Sequence, residues 1–196
     1  MKIDYLSQAF KNSYLLFLVI ISVLLLSSCQ KNKKPHQAKN QWSQVKSWSF
    51  NGKLAINDGK NNGSGRIKWL VTNNNTKAQF KAPLGQGSWD IQENQNSATL
   101  MSSTNGKTTA ENAQILISKE LGWHFPWDKL KYWFRGHQSE SEIETIHQKI
   151  ESITDGDWQI TYTKWQQTPM GLLPKKIKAS KPPYSVKLVI YKWNFE

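Results

Sequence analysis

A chain of 196 residues with 26 Lys and Arg against 14 Asp and Glu carries a formal charge of +12. That balance suits an anionic lipid surface, an acidic protein or nucleic acid as partner. Its length suffices for one domain with a sizeable core, its lone cysteine excludes an internal disulfide, and its ten tryptophans each join a large apolar face to one polar handle.

Lys2 and Lys11 flank a polar start, and residues 15–26 (LLFLVIISVLLL) form an unbroken apolar run. As a helix this run reaches about 18 Å, short of a hydrocarbon core of roughly 30 Å. Such a core after a positive start has the form of an export signal; an uncleaved anchor would have to recruit Ser13 and Tyr14. Leu26-Ser27-Ser28-Cys29 follows directly and resembles the bacterial lipobox, at which the cysteine thiol accepts a diacylglycerol and becomes the mature N-terminus. Residues 1–28 are therefore expected to be a lipoprotein signal peptide and Cys29 the lipidation site. A free buried cysteine is the competing reading, but Cys29 lies outside any plausible core. Export also removes nucleic acid as a partner. Gln30, where Asp resembles a signal for inner-membrane retention in enteric-type bacteria, favours the outer membrane, facing the periplasm. Residues 29–41 hold Lys31, Lys33, Lys34 and Lys39 and read as a flexible basic tether, leaving 42–196 as a single domain.

Trp42, Val45 and Trp48 are spaced by three and predict one or two helical turns. Residues 50–56 (FNGKLAI) alternate and predict a strand. Residues 57–65 are rich in Asn and Gly and predict a turn, followed by a strand at 66–71 with Ile67 and Trp69. A turn at 72–76 leads to a strand at 78–81 with Phe80. Strands at 89–92 and 98–101 continue the meander, with turns at 94–96 and 104–106. Thr109 can cap a helix from Ala110 to Leu121, with Ile115, Leu116 and Leu121 on its apolar face and Gly122 ending it. A second helix starts at Pro126 and runs to Arg135, with Gly136 as its stop. Leu130, Trp133 and Phe134 share its apolar face, whereas Lys129, Lys131 and Arg135 are polar. A hairpin is expected from 149–153 and 158–165 across 154–157, and another pair from 175–179 and 186–195 across 181–184. Close turns between short alternating strands predict an antiparallel sheet, curled or closed.

No constellation supports an enzyme. His36, His124, His137 and His147 have no partner at a metal-ligand spacing, and no nucleophile elbow or nucleotide loop is present. Gly63-Ser64-Gly65 reads as a turn rather than a phosphate cradle. Glu140, Glu142, Glu144 and Glu151 read as a solvated charge run. No cofactor or metal site is expected.

The loop after Phe80 is more informative. Pro83 fixes the backbone and Leu84 stands between it and Gly85, with Gly87 close behind. Burying a leucine gains only about 1.5–3 kcal/mol, and a Pro-Gly turn is a poor route to a core. Leu84 either stands exposed or folds back under its loop.

Taken together, these segments resemble the LolB family of outer-membrane lipoprotein receptors. The resemblance rests on the lipobox at Cys29, residues 50–56, Ile67-Lys68-Trp69, Ala82-Pro83-Leu84-Gly85, residues 126–136 (PWDKLKYWFRG), Trp158-Gln159-Ile160-Thr161-Tyr162, residues 173–177, residues 187–190 and Trp193. They cover most of 42–195 in the family's order, while the lysine content and residues 138–150 depart from its pattern. The resemblance implies an α+β fold that is mainly β, a curled antiparallel half-barrel under a helical lid with an apolar cavity between them. It implies a monomer that takes lipoprotein cargo from a periplasmic carrier and inserts it into outer-membrane lipid, with Leu84 in the insertion loop. Candidate residues for an acyl-chain cavity are Trp69, Phe80, Leu100, Leu116, Leu121, Leu130, Trp133 and Ile160, each of which ordinary core packing would also explain. Two alternatives stand beside this reading: a lipid-anchored binding module for another hydrophobic ligand, and a structural envelope lipoprotein.

Overall fold

A computed structural model describes residues 45–60, 62–137 and 149–196. The expected signal peptide, Cys29, the tether, Trp42 and the polar stretch 138–148 lie outside these residues. Ten strands alternate with tight turns: β1 (Ser47–Asn57), β2 (Asn62–Thr72), β3 (Asn75–Lys81), β4 (Ser88–Glu93), β5 (Ala98–Ser102) and β6 (Gly106–Ala110), then β7 (Ser152–Asp155), β8 (Trp158–Thr168), β9 (Gly171–Lys181) and β10 (Tyr184–Phe195). Among the described residues between β6 and β7 are two helices, α1 (Ala113–Leu121) and α2 (Trp127–Trp133).

All ten strands join one antiparallel sheet in the order β6-β5-β4-β3-β2-β1-β10-β9-β8-β7. The first and last strands pair at its centre, while β6 and β7 form two edges that do not meet. The sheet is an open half-barrel. Both edge strands are short, which limits the unpaired backbone they offer to other chains. Both helices fall between the two edge strands in chain order, so the lid lies in the connection from one edge to the other.

Period-two alternation decides which face is covered. Phe50, Leu54 and Ile56 of β1, Ile67, Trp69 and Val71 of β2, and Trp158, Ile160 and Tyr162 of β8 are all buried. Helix α1 adds Ala113, Leu116 and Ile117 at helical spacing and packs against β4, β5 and β6. Helix α2 adds Trp127, Leu130 and Trp133.

Several local expectations change. Trp48 belongs to β1 and not to a helix, because Ser47 and Trp48 pair with Thr72 and Val71 of β2. Asn62, Gly63, Ser64 and Gly65 lie in β2, so the Asn- and Gly-rich turn narrows to the residues after Asn57, whose Oδ1 accepts the Gly59 N–H at 2.7 Å. Gly65 sits where a Cβ would strike the Phe80 ring; its role is to let that ring lie across the strand. Thr109 does not cap α1. It continues the ladder opposite Thr99 in β6, and Asn112 caps the helix through its Oδ1, which accepts the Ile115 N–H at 3.0 Å. Gly122 ends α1 at φ +67°, as expected. Ile115 points to solvent instead of joining the apolar face. Arg135, set apart from the apolar face as a polar residue, is nonetheless buried: its guanidinium lies over Trp48 at 5.3 Å and Tyr132 at 5.7 Å, and its Nε–H donates to the Lys131 carbonyl at 3.0 Å.

Candidate functional site: the aromatic interior, its lid and the Leu84 loop

Rings fill the space between the inner sheet face and the helices. Phe50 and Trp69 lie nearly parallel with centroids 6.5 Å apart, and Phe134 meets both edge-on at 5.2 and 5.0 Å. Trp127 of α2 approaches Trp69 to 4.6 Å. A second group stacks Phe80 on Trp89 at 5.1 Å, with Trp123 edge-on to both. Offset and edge-on pairs of this kind add about 0.5–1.5 kcal/mol each beyond burial.

Of the eight cavity candidates, Trp69, Phe80, Leu100, Leu116, Leu130, Trp133 and Ile160 are buried in this one interior, and Leu121 is half-buried against it. They join a single apolar core, the ordinary packing that stood beside the cavity reading for each of them. At its rim, a crevice of about 170 Å³, too narrow to admit water, lies among Ile56, Trp123, Phe125, Trp158, Tyr184 and Val186. It marks the seam between the α1–α2 connection and the ends of β1, β8 and β10.

Two carboxylates that the sequence does not single out hold the helices down. Glu93 ends β4; its Oε2 accepts the Trp127 indole N–H at 2.7 Å and its Oε1 accepts the Ala113 backbone N–H at 2.8 Å. One side chain thus pins the start of α1 and the first residue of α2. Gln114 ties the helices together by accepting the Trp127 backbone N–H at 2.8 Å. At the other edge, Asp155 of β7 accepts the Trp133 indole N–H at 3.0 Å and lies 3.5 Å from Lys129 Nζ. Tyr162 completes the set by donating its hydroxyl to the Trp133 carbonyl at 3.0 Å. The lid is therefore fastened by polar bonds around a greasy contact, and indole N–H groups supply two of the donors.

The loop between β3 and β4 departs from this pattern of burial. A single 3₁₀ turn, Pro83–Gly85, is closed by the Gln86 N–H donating to the Pro83 carbonyl at 3.1 Å. Leu84 stands 97% exposed, with φ +53°. Left-handed backbone at a residue with a side chain costs roughly 1–2 kcal/mol, and no burial offsets it here. The fold spends stability to hold a leucine in water.

His137 follows α2 and is buried; its Nδ1 has no hydrogen-bond partner among the described residues. Burial first, and the charge of Arg135 second, lower its pKa from 6.5 to about 4. Since the folded value is depressed, the folded chain keeps His137 neutral while the unfolded chain takes up a proton. Stability is expected to be full above about pH 6.5 and to fall, by at most about 3 kcal/mol, as pH drops towards 4. Urea midpoints measured across that range should flatten in His137→Gln; an unchanged slope would remove His137 from this role.

The comparisons with known proteins agree in one direction. The sequence profile of the family described as "Outer membrane lipoprotein LolB" matches residues 46–193. A protein named outer-membrane lipoprotein LolB from Francisella tularensis subsp. tularensis (strain WY96-3418) is 28% identical over 199 aligned residues, spanning 94% of this chain and 96% of its own. Its namesakes from Nitrosococcus oceani and Pseudomonas aeruginosa (strain LESB58) are each 27% identical and cover 91% of this chain, with 96% and 95% of their own lengths matched.

Proposed function

Because this chain belongs to the LolB family of outer-membrane lipoproteins, we propose that it receives other lipoproteins from a soluble periplasmic carrier and releases their acyl chains into the outer membrane. The protein itself is a lipid-anchored component of that membrane, working in lipoprotein localisation. In this reading the lipid sits on Cys29, residues 30–41 act as a tether, and the half-barrel works as a monomer.

The observation that carries the mechanism is the pairing of an aromatic interior, under helices fastened at their rims, with one leucine held out in water. Each methylene taken from water is worth about 0.8 kcal/mol, so exposing a fourteen-carbon chain costs on the order of 10 kcal/mol. A receptor must offer apolar surface of its own. Here that surface is the inner sheet face, and α1 and α2 are the part able to lift from it. Cargo enters as the helices part along the Trp123–Phe125 seam, with the lining rings exchanging contact with one another for contact with the alkyl chain. No nucleotide loop is present in the sequence, so transfer runs down a gradient of affinity from carrier to this protein to membrane.

The direct test mixes a loaded carrier with a soluble form that lacks Cys29 and asks whether cargo moves across. Cargo that stays on the carrier, or free lipid as the only bound species, would overturn the reading. The surplus of positive charge on this chain favours a carrier with an acidic mouth and acts mainly on the rate of encounter. Transfer between the two soluble proteins is therefore expected to slow as ionic strength rises. A rate indifferent to salt would rule out electrostatic steering.

A further inference from the structure

The face of the sheet turned away from the helices is a field of cations. Lys81 of β3 lies directly opposite Arg66 of β2, and Arg66 directly opposite Lys53 of β1. The same row continues through Val189 of β10 to Lys176 of β9 and Lys164 of β8. One row further along, Lys187 faces Lys178. Directly opposed side chains have Cβ atoms about 4.5–5.5 Å apart, and like charges at that spacing destabilise a sheet. Among the described residues, no ion pair relieves the five cations of the long row. The one carboxylate on outward strand positions among those residues, Asp90, is already engaged by Lys77 at 3.5 Å and by the Gln79 amide.

We propose that this outer sheet face is the surface by which the protein lies on an anionic phospholipid bilayer, its Lys–Arg row contacting the headgroup phosphates. The inference rests on the membrane-insertion reading above and deepens it. Three observations favour a lipid surface over an acidic protein. The row crosses six neighbouring strands, roughly 24 Å at the usual strand spacing, and a bilayer supplies an extended array of negative charge on that scale. Lysine is depleted from protein–protein interfaces, whose centres are aromatic and apolar, whereas here the row is four Lys to one Arg. Finally, Leu84 follows Lys81 by three residues, so the row ends beside the loop that holds an apolar side chain in water. Tyr191, at the bulge in β10 and 58% exposed, adds a residue type at home at the level of the headgroups.

The test uses the mature lipidated protein reconstituted in phosphatidylcholine vesicles with or without phosphatidylglycerol. Lysines are acetylated with a water-soluble reagent and the rate at each is read by mass spectrometry. In anionic vesicles Lys53, Lys81 and Lys176 are expected to react several-fold more slowly, with the protection lost at high salt, while Lys119 and Lys131 on the helices are unaffected. Equal rates on both faces, or protection that appears only when an acidic soluble protein is added, would overturn the proposal. The triple variant Lys53→Gln, Arg66→Gln, Lys81→Gln should lower delivery to anionic vesicles and leave delivery to neutral ones unchanged. Leu84→Glu separates the two ideas: normal insertion in that variant defeats the insertion reading, whereas loss of row protection in the unaltered chain defeats this one.

Discussion

Replacing Leu84 with glutamate is expected to leave uptake of cargo from the carrier intact and to abolish its release into vesicles. The two activities use different parts of the molecule. Uptake depends on the interior under α1 and α2, none of which Leu84 touches, since its side chain is 97% exposed. Release requires something apolar to enter the bilayer ahead of the acyl chains, and a carboxylate at that tip would have to be desolvated, at a cost of several kcal/mol. A second variant removes stability as an explanation. Leu84→Gly relieves the left-handed backbone at φ +53° while adding freedom to the unfolded chain, two effects of about 1 kcal/mol that oppose one another. Its thermal midpoint should stay close to that of the parent, yet insertion should fail as in Leu84→Glu. Insertion at the parental rate in either variant would show that the loop is not the membrane-entering element.

How far the residues alone foretell this arrangement depends on the range of the interactions involved. Strands β1, β2, β8 and β10 are legible because their pattern is local: Trp158, Ile160 and Tyr162 face inward at alternate positions. The turn that carries Leu84 is legible for the same reason, as proline and glycine flank it, whereas the choice between an exposed and a folded-back side chain is made only in the fold. Strand β6 is missed because Thr108, Thr109 and Ala110 carry no large apolar residue, and a threonine before a helix resembles a cap until β5 is seen to pair with it. Trp48 is misread because spacing by three fits a helix as well as the first residues of a strand pinned on both sides. Burial of Arg135 cannot be foreseen without knowing that the Trp48 ring will lie beneath its guanidinium. The fasteners of the lid are the furthest from view. Glu93 lies 20 residues before Ala113 and 34 before Trp127, and Asp155 lies 22 after Trp133. An indole N–H announces that it needs an acceptor, but only the folded sheet says which.

Glu93→Ala is expected to loosen the lid selectively. The change strips an acceptor from two donors at once, the Trp127 indole and the Ala113 backbone, and both residues are buried. A buried donor left unpaired costs about 1–3 kcal/mol, and bonds to a charged acceptor lie at the upper end, so a loss of about 2–4 kcal/mol in urea unfolding is expected. Glu93→Gln keeps one carbonyl acceptor and turns the other oxygen into a donor, and should lose roughly half as much. The informative readout is local. Amide exchange in 113–121 and 127–133 should quicken well beyond that of β1 and β10, because helices fastened at one rim can then part from the sheet without unfolding it. If all these segments speed up together, Glu93 supports the whole fold and is no latch. Cargo binding gives the second axis: a lid that opens more readily should accept lipoprotein from the carrier at least as fast as the parent, and release it sooner, because the closed state no longer holds the acyl chain as firmly against the rings of Trp69 and Trp127.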